Sequence, residues 1–505
     1  MKDLAGWRPT GTNSHIIFYM EVYDILIIGA GPAGTCAALR LLSLGYRVAL
    51  VESNAFPRPQ IGESLSPGIH GIFEYLGATN LLMTAHCQHQ LPAEIIWESQ
   101  QPLLLKPQTR GHGAMVDRSM LDKDLLQLAV SRGLHLFQPA RYESSRHNGQ
   151  HWEVNIRPFN KDLLPLHTTF ILDARGRKAI RQQQRLLTAP SMVAIWSYVH
   201  ASRMPAHTCV EAVPNGWIWG APLHDGRYRI ITFAAADTIK RQRLHDIYNG
   251  LLQSSHLFRQ NKALHPSQSC AVATYTHTQP WQHYRLQLGE AAFAIDPLSS
   301  TGVEKAMRCA LQAVIAVNTI LKGGDPQVAQ QFYEDKIIGS VVNHTHWTQQ
   351  YYAQAWPGTG QRFWQEHGGR YLPEKYIPTP FTEKLSSALQ EEQLVTPAAT
   401  EKAIDINYVL QQLWDGKPTV SPAISYVPSS CVVNDCLEIR TAIKHPNLPG
   451  TMAFLGTMEI YPLLKMAAHT PTFGSLVTAW SRLMPFNKAA KMAIYLWDKQ
   501  VLLPQ

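Results

Sequence analysis

A chain that sets Gly29-Ala30-Gly31-Pro32-Ala33-Gly34 between two short apolar runs has few ways to fold. Asp24–Ile28 is β-branched and apolar, the signature of a buried strand. Thr35–Ser43 reads as the helix that follows, with Gly45 as its stop. Arg47–Val51 is a second apolar strand with Glu52 and Ser53 at its end. Strand, glycine turn, helix, strand and terminal acid together make a βαβ dinucleotide fingerprint. Gly29 allows the tight turn, Gly31 lets a pyrophosphate approach, and Gly34 lets helix and strand pack closely. The helix start offers free N–H groups to phosphate, and Glu52 is placed for ribose hydroxyls. This stretch alone does not separate FAD from NAD.

The remainder bounds the class. At 505 residues the chain has room for two or three domains. Its 45% hydrophobic and 16% charged residues suit ordinary globular cores. No apolar run reaches transmembrane length. Residues 1–19 carry only the patch Ile16-Ile17-Phe18-Tyr19, with no signal-peptide cleavage pattern. They read as a disordered extension, with Met20 as an alternative start. Seven scattered cysteines suggest reduced thiols and a cytoplasmic protein. Cys431 and Cys436 lack a second pair to complete a zinc site, and His344-Thr345-His346 reads as polar helix, so no metal is expected. The net charge of +8 forms no basic stripe with interleaved aromatics, which argues against nucleic acid. It suits an acidic protein partner or an anionic substrate.

Along the chain, Phe56–Gly62 is a proline-rich loop that places Arg58, Gly62, Glu63 and Ser64 beside the nucleotide fold. Gly111–Arg118 leads into a helix, Ser119–Ser131. Arg118 gains nothing from the dipole at a helix start, so it needs another partner, for which phosphate or a ribityl chain would serve. Thr169–Gly176 ends a strand at Asp173. Ser191–Ala201, Cys209–Val213, Gly216–Gly220 and Tyr228–Ala234 alternate between turn residues and read as an antiparallel sheet. Trp217 and Trp219 share one face of it, either lining a pocket or forming a core layer. Gly289-Glu290 through Asp296, Pro297, Ser299, Ser300, Thr301 and Gly302 forms a turn that opens a long helix, Val303–Leu321. Its N-terminus would stabilise an electron-rich group. Beyond it the chain reads as helical to about Trp414, and Leu437–Gln505 reads as further short helices.

These motifs in this order resemble the flavin monooxygenase superfamily with the para-hydroxybenzoate hydroxylase-type fold, over about Val22–Leu321. Within it the chain is similar to the branch holding flavin-dependent halogenases and geranylgeranyl reductase-like proteins. The residues that carry this are Ile61–Ser64, Val116–Arg118, Asp173–Gly176, Gly216–Leu223 and Gly289–Gly302. The resemblance implies FAD. Gly29, Gly31, Pro32, Ala33, Gly34, Glu52 and Ser53 would hold the adenosine half. Arg58, Gly62, Glu63, Ser64, Arg118 and Asp173 would line the middle of the cofactor. Gly289, Glu290, Asp296 and Pro297 would lie along the ribityl chain, with Ser300, Thr301 and Gly302 over the flavin ring. Glu290 stands where the family usually has Asp. Halogenases also carry a relay lysine downstream of their GE(S/A), and tryptophan halogenases a glutamate before STG. Here those places hold His89–Ile95, without lysine, and Ser299.

The Phe56–Pro67 stretch, the run ending at Arg227 and the extra C-terminal region look similar to flavoproteins that mature tryptophylquinone enzymes. Those act with lysine ε-oxidase, glycine oxidase or quinohaemoprotein amine dehydrogenase. The expected fold is α/β, with a Rossmann-like FAD domain interleaved with an antiparallel substrate sheet and a mainly helical C-terminal region. The expected boundaries are an extension at 1–19, FAD domain at 20–190 with 66–110 on the substrate side, substrate sheet at 191–285, FAD domain again at 286–330, and helical region at 331–505. The expected activity is a monooxygenase using a flavin C4a-hydroperoxide from O2 to hydroxylate a peptidyl tryptophan in a quinone-cofactor oxidase or dehydrogenase precursor. NAD(P)H or a separate flavin reductase would supply electrons. His112, Trp217 and Trp219 are the pocket candidates, and no catalytic base is identified. The rivals are an aromatic halogenase, a geranylgeranyl reductase-like flavoprotein and a non-catalytic maturation chaperone.

Overall fold

The computed structural model describes residues 22–110, 113–259, 267–358, 360–373, 376–391 and 406–504. The extension at 1–19, Met20 and His112 lie outside them. Contacts divide the chain into two compact units, Met1–Leu311 with Asn343–Thr382, and Gln312–Val342 with Glu383–Gln505.

The first unit is built on the sheet that the fingerprint begins. Strand Val22–Ile28 lies between parallel strands Val48–Val51 and Leu164–Asp173. Ile28 pairs with both Val51 and Asp173, so three strand ends share one edge. Asp173 pairs in turn with Gln287, which brings Gly289 to the same edge. Register alone therefore gathers Gly29, Glu52, Asp173 and Gly289 from distant parts of the chain. Helix Pro32–Ser43 covers the sheet with its small-residue face. A Cβ on Gly34 would stand 2.0 Å from the Gly29 carbonyl oxygen, so nothing larger than glycine fits there.

The second sheet of this unit has seven strands. Their order is Gln268–Val272, Met192–His200, Arg227–Ala235, Gly216–Pro222, Thr208–Val213, Ala93–Ile96 and Leu103–Leu105. All neighbours are antiparallel except Thr208–Val213 with Ala93–Ile96. One face packs Ile195, Cys209, Ile218, Tyr228 and Ile230 under helix Leu244–Gln253. The other carries Trp217 and Phe233 against Tyr352, Phe363 and Trp364. Trp217 stacks on Phe233 at 3.8 Å between centroids and meets the edge of Trp97.

The second unit has its own core, formed by Phe473, Leu476, Trp480 and Ile494 among others. Gly474 lies flush on the Trp414 ring, 2.4 Å from where its Cβ would be. Helices Ile460–Ala467, Phe473–Trp480 and Phe486–Asp498 match the expected short helices. The stretch before them does not, because Ser425–Val433 and Cys436–Lys444 form a hairpin. Asn434 and Asp435 both take positive φ, the two-residue turn that suits strand twist. Among the described residues no helix is long and apolar enough to cross a membrane.

Trp217→Ala is expected to cost about 3–5 kcal/mol of unfolding free energy, because it empties a stacked, buried position. Urea unfolding checks this, and Trp219→Ala, at a half-buried position, should cost less.

Candidate active site

The nucleotide end is preorganised. Helix Pro32–Ser43 starts at Gly31 with no side-chain cap, so its first N–H groups remain available. A Cβ on Gly31 would meet nothing within 4 Å, which leaves an open cradle at that helix start. Glu52 is buried and accepts from the backbone N–H groups of Ala30 and Asn54, both at 2.8 Å. Arg58 lies 3.9 Å from it, and its buried Nε has no hydrogen-bond partner among the described residues. An open glycine cradle, a fixed carboxylate and an orphaned guanidinium nitrogen together fit a dinucleotide.

Arg118 has a partner that its position in the sequence did not reveal. Its guanidinium grips Asp122 one helical turn on through two 3.0 Å hydrogen bonds, both side chains being buried. It also donates to the carbonyls of Ile61 and Gly62, so it fixes the loop that carries Glu63 and Ser64. Asp117 caps the same helix through Ser119 N–H at 2.8 Å. Glu63 forms a buried ion pair with Arg229 from the second sheet. Arg229 and Arg227 both lie over the Tyr198 ring, at 4.9 and 4.4 Å.

Glu63, Asp117, Tyr198, Arg227 and Arg229 border a cavity of about 350 Å³. Its walls include Arg58, Glu63, His86, Asp117, Tyr198, His224 and Arg229. His224 lies 3.6 Å from Asp117, an imidazole–carboxylate pair on the cavity wall. Trp217 and Trp219 are not on that wall. Trp217 is 2% exposed, within the aromatic layer.

At the strand edge, Asp173 is fully buried and held by Arg175 and Arg285, each at 2.6 Å. Burial alone would raise its carboxyl, but the two guanidinium groups outweigh that and keep it below the usual carboxylate range. Glu290 is exposed and pairs bidentately with Arg177.

Asp296 begins the loop that opens helix Gly302–Leu321. It caps the turn through Leu298 N–H at 3.0 Å, and the Tyr352 hydroxyl donates to its carboxylate oxygens at 3.0 and 3.1 Å. The carbonyl of Asp296 is 3.2 Å from His344 Nε2. Ser299 bonds Thr301, Oγ to Oγ1, at 2.7 Å, while Ser300 takes a left-handed φ of 53°. Gly302 has open space where a Cβ would be. Leu298 packs on the aromatic layer, so this loop joins that layer to the helix start. Sequence reasoning missed Tyr352, Asp122, Arg229 and Arg285. An i,i+4 Arg–Asp pair was the one local signal, since the others act across long separations.

Burial raises the Asp296 carboxyl from 3.8 to about 6, against the opposing pull of its two donors. The folded protein therefore holds this proton more tightly than the unfolded chain, and the group's stabilisation is present at low pH and lost between 3.8 and about 6. Asp296→Asn removes this titration. Its unfolding free energy relative to the unsubstituted protein should rise by up to about 3 kcal/mol across that window and level off above it. Urea melts over a pH series read the slope, and an opposite sign refutes the assignment.

Two family models match the chain, an FAD binding domain over residues 22–246 and tryptophan halogenase over residues 176–397. The tryptophan 2-halogenase of Chondromyces crocatus is 29% identical over 61% of this chain, and the match spans 64% of that halogenase's own length. LodB of Marinomonas mediterranea is 25% identical over 68% of this chain and 97% of its own. The solved peptidyl tryptophan dihydroxylase QhpG, essential for tryptophylquinone cofactor biogenesis, shares the fold with a TM-score of 0.66. It is 20% identical, and the superposition covers 94% of this chain and 99% of that one. The two family models overlap at residues 176–246 and together span residues 22–397, so this chain is similar to FAD-dependent oxidoreductases of the monooxygenase and halogenase-like superfamily, and its open glycine cradle fits that cofactor.

Proposed function

We propose that the protein is a monooxygenase that hydroxylates an electron-rich aromatic ring, a tryptophan within a partner protein destined to carry a quinone cofactor. The observation that carries this reading is the side chain on the aromatic face of strand Ala93–Ile96. Ile95 packs there against the layer of Trp97 and Trp217, and the segment His89–Ile95 holds no lysine. The relay lysine that the halogenase resemblance implies has no counterpart in it. Ser299, where tryptophan halogenases carry glutamate, is engaged with Thr301.

FAD, when bound and reduced, supplies the activation of O2. The chain's own residues do the rest. Gly31 and the start of helix Pro32–Ser43 would bind the pyrophosphate, and Glu52 the ribose. The start of helix Gly302–Leu321 would favour negative charge on the reduced ring. The aromatic layer behind Leu298 excludes water from that side. QhpG, whose length this chain matches nearly end to end, acts on a peptidyl tryptophan, which supports a protein substrate. Electrons would come from NAD(P)H or a separate flavin reductase, and the site of action would be the cytoplasm.

Halogenation is the second reading, favoured by the tryptophan 2-halogenase relationship. One experiment separates the two. The protein is co-expressed with a tryptophylquinone-enzyme precursor and the precursor peptides are analysed by mass spectrometry, with bromide present. Oxygen mass on a tryptophan is expected, and its loss in Gly31→Asp, which puts a carboxylate into the pyrophosphate cradle, confirms dependence on the flavin. Bromine on the ring would establish the halogenase instead. A bound precursor whose tryptophan stays unmodified would refute both and leave a chaperone.

A further inference from the structure

The face of the second sheet opposite the aromatic layer brings three metal-ligand side chains to one point. In the parallel pairing, Cys209 is the register partner of Glu94. His207 lies two residues before Cys209, in the bend that leads into strand Thr208–Val213, and its imidazole comes to the same point. Glu211 continues that face but is already taken up by Ser255 and the N–H groups of His256 and Leu257. The ligand atoms of Glu94, His207 and Cys209 all lie within 4.8 Å of one another. His207 Nε2 is 2.9 Å from Glu94 Oε2. The Cys209 thiol stands at the register position beside this pair, next to the Tyr228 hydroxyl.

The surroundings are built around this point. Gly220 stands across the sheet from Cys209. A Cβ there would come within 2.6 Å of the Tyr228 ring and 2.7 Å of Phe258. Glycine thus lets the Tyr228 ring lie over the sheet, where its hydroxyl donates to the His207 carbonyl at 3.1 Å. That bond holds the backbone next to the imidazole. Cys209 is fully buried, while Glu94 and His207 are each 21% exposed, which leaves a path from solvent.

We propose that Glu94, His207 and Cys209 form a zinc site. One thiolate, one imidazole and one carboxylate supply three protein ligands and leave a fourth position for water. Sulfur selects zinc over magnesium or calcium. Bonds of about 2.0–2.3 Å would draw the three groups slightly together. Binding releases the Cys209 thiol proton to solvent, and no electron is transferred. The site lies on the opposite face of the sheet from Ile95 and the aromatic layer. Its role is to clamp strand Ala93–Ile96 onto strand Thr208–Val213, the one parallel junction in that sheet.

The test uses the full-length FAD-loaded protein, incubated with zinc sulfate and desalted. Elemental mass spectrometry should find about one zinc per chain, and Cys209→Ser and Glu94→Gln should each reduce this at least about tenfold. Retained flavin absorbance reports that the variants are folded. Glu94→Gln is nearly isosteric and serves if the serine variant loses its flavin. In the unsubstituted protein a zinc chelator should lower the melting temperature, and in Glu94→Gln it should not. No zinc retained by the native protein overturns the proposal. Equal zinc in native protein and both variants does so too, since the metal would then lie elsewhere among the 22 histidines.

Discussion

The contact that everything else in the first unit depends on is the approach of Gly34 to the Gly29 carbonyl. Helix Pro32–Ser43 sits so close to the sheet that a single methyl group at Gly34 would overlap that oxygen and stand 3.3 Å from the Ala174 side chain. The same closeness constrains Gly29, whose Cβ would meet the Ala174 carbonyl at 2.6 Å while its φ is +103°. Only glycine tolerates both demands. The helix start is thereby fixed over the edge where Glu52, Asp173 and Gly289 converge. A cofactor cradle made of backbone needs this precision, because N–H groups cannot adjust as side chains can.

Around that edge, buried charge is handled by pairing. Arg118 with Asp122, Arg229 with Glu63, and Asp173 with Arg175 and Arg285 each satisfy a charge that burial would otherwise penalise. Removing one member of such a pair leaves the other stranded, which typically costs more than the intact pair contributes. Two of these pairs also do positional work. Arg118 ties the Ile61–Gly62 loop to helix Arg118–Ser131, and Glu63 ties that same loop to the second sheet through Arg229. Ion pairs therefore hold the loop on the cavity wall from two sides. Asp296 differs, since two neutral donors, the Leu298 N–H and the Tyr352 hydroxyl, hold its carboxylate. Its carboxyl accordingly rises where that of Asp173 falls.

The βαβ unit and the alternating strands were legible because their signals are local. Periodicity and glycine spacing act within a dozen residues, and the strand edge then follows from register. What the sequence hid was long-range partnership. Nothing near Asp296 announces Tyr352, and nothing near Glu63 announces Arg229, since each pair is closed by tertiary packing. Arg118 shows the limit of reasoning from one position. A cation at a helix start does need a partner, but an aspartate one turn along supplies it. Leu437–Lys444 reads as the start of the short helices but forms the second strand of the Ser425–Lys444 hairpin, although the hairpin's signals are present in the sequence. Val427, Val432 and Val433 are β-branched, and Asn434-Asp435 marks a two-residue turn. The strongly helical pattern after Ile460 masked them.

Strand Ala93–Ile96 shows how two chemistries are kept apart by pleat alone. Ile95 faces the aromatic layer and Glu94 faces His207 and Cys209, on opposite sides of one sheet. Successive residues in a strand cannot share a face, so a one-residue slip would exchange them. A carboxylate would then enter the aromatic layer beside Trp97 and Trp217, and an apolar side chain would stand against the thiol. The parallel pairing of Glu94 with Cys209 fixes the register that forbids this. The apolar lining of the aromatic face thus depends on a register set by a contact made on the opposite face.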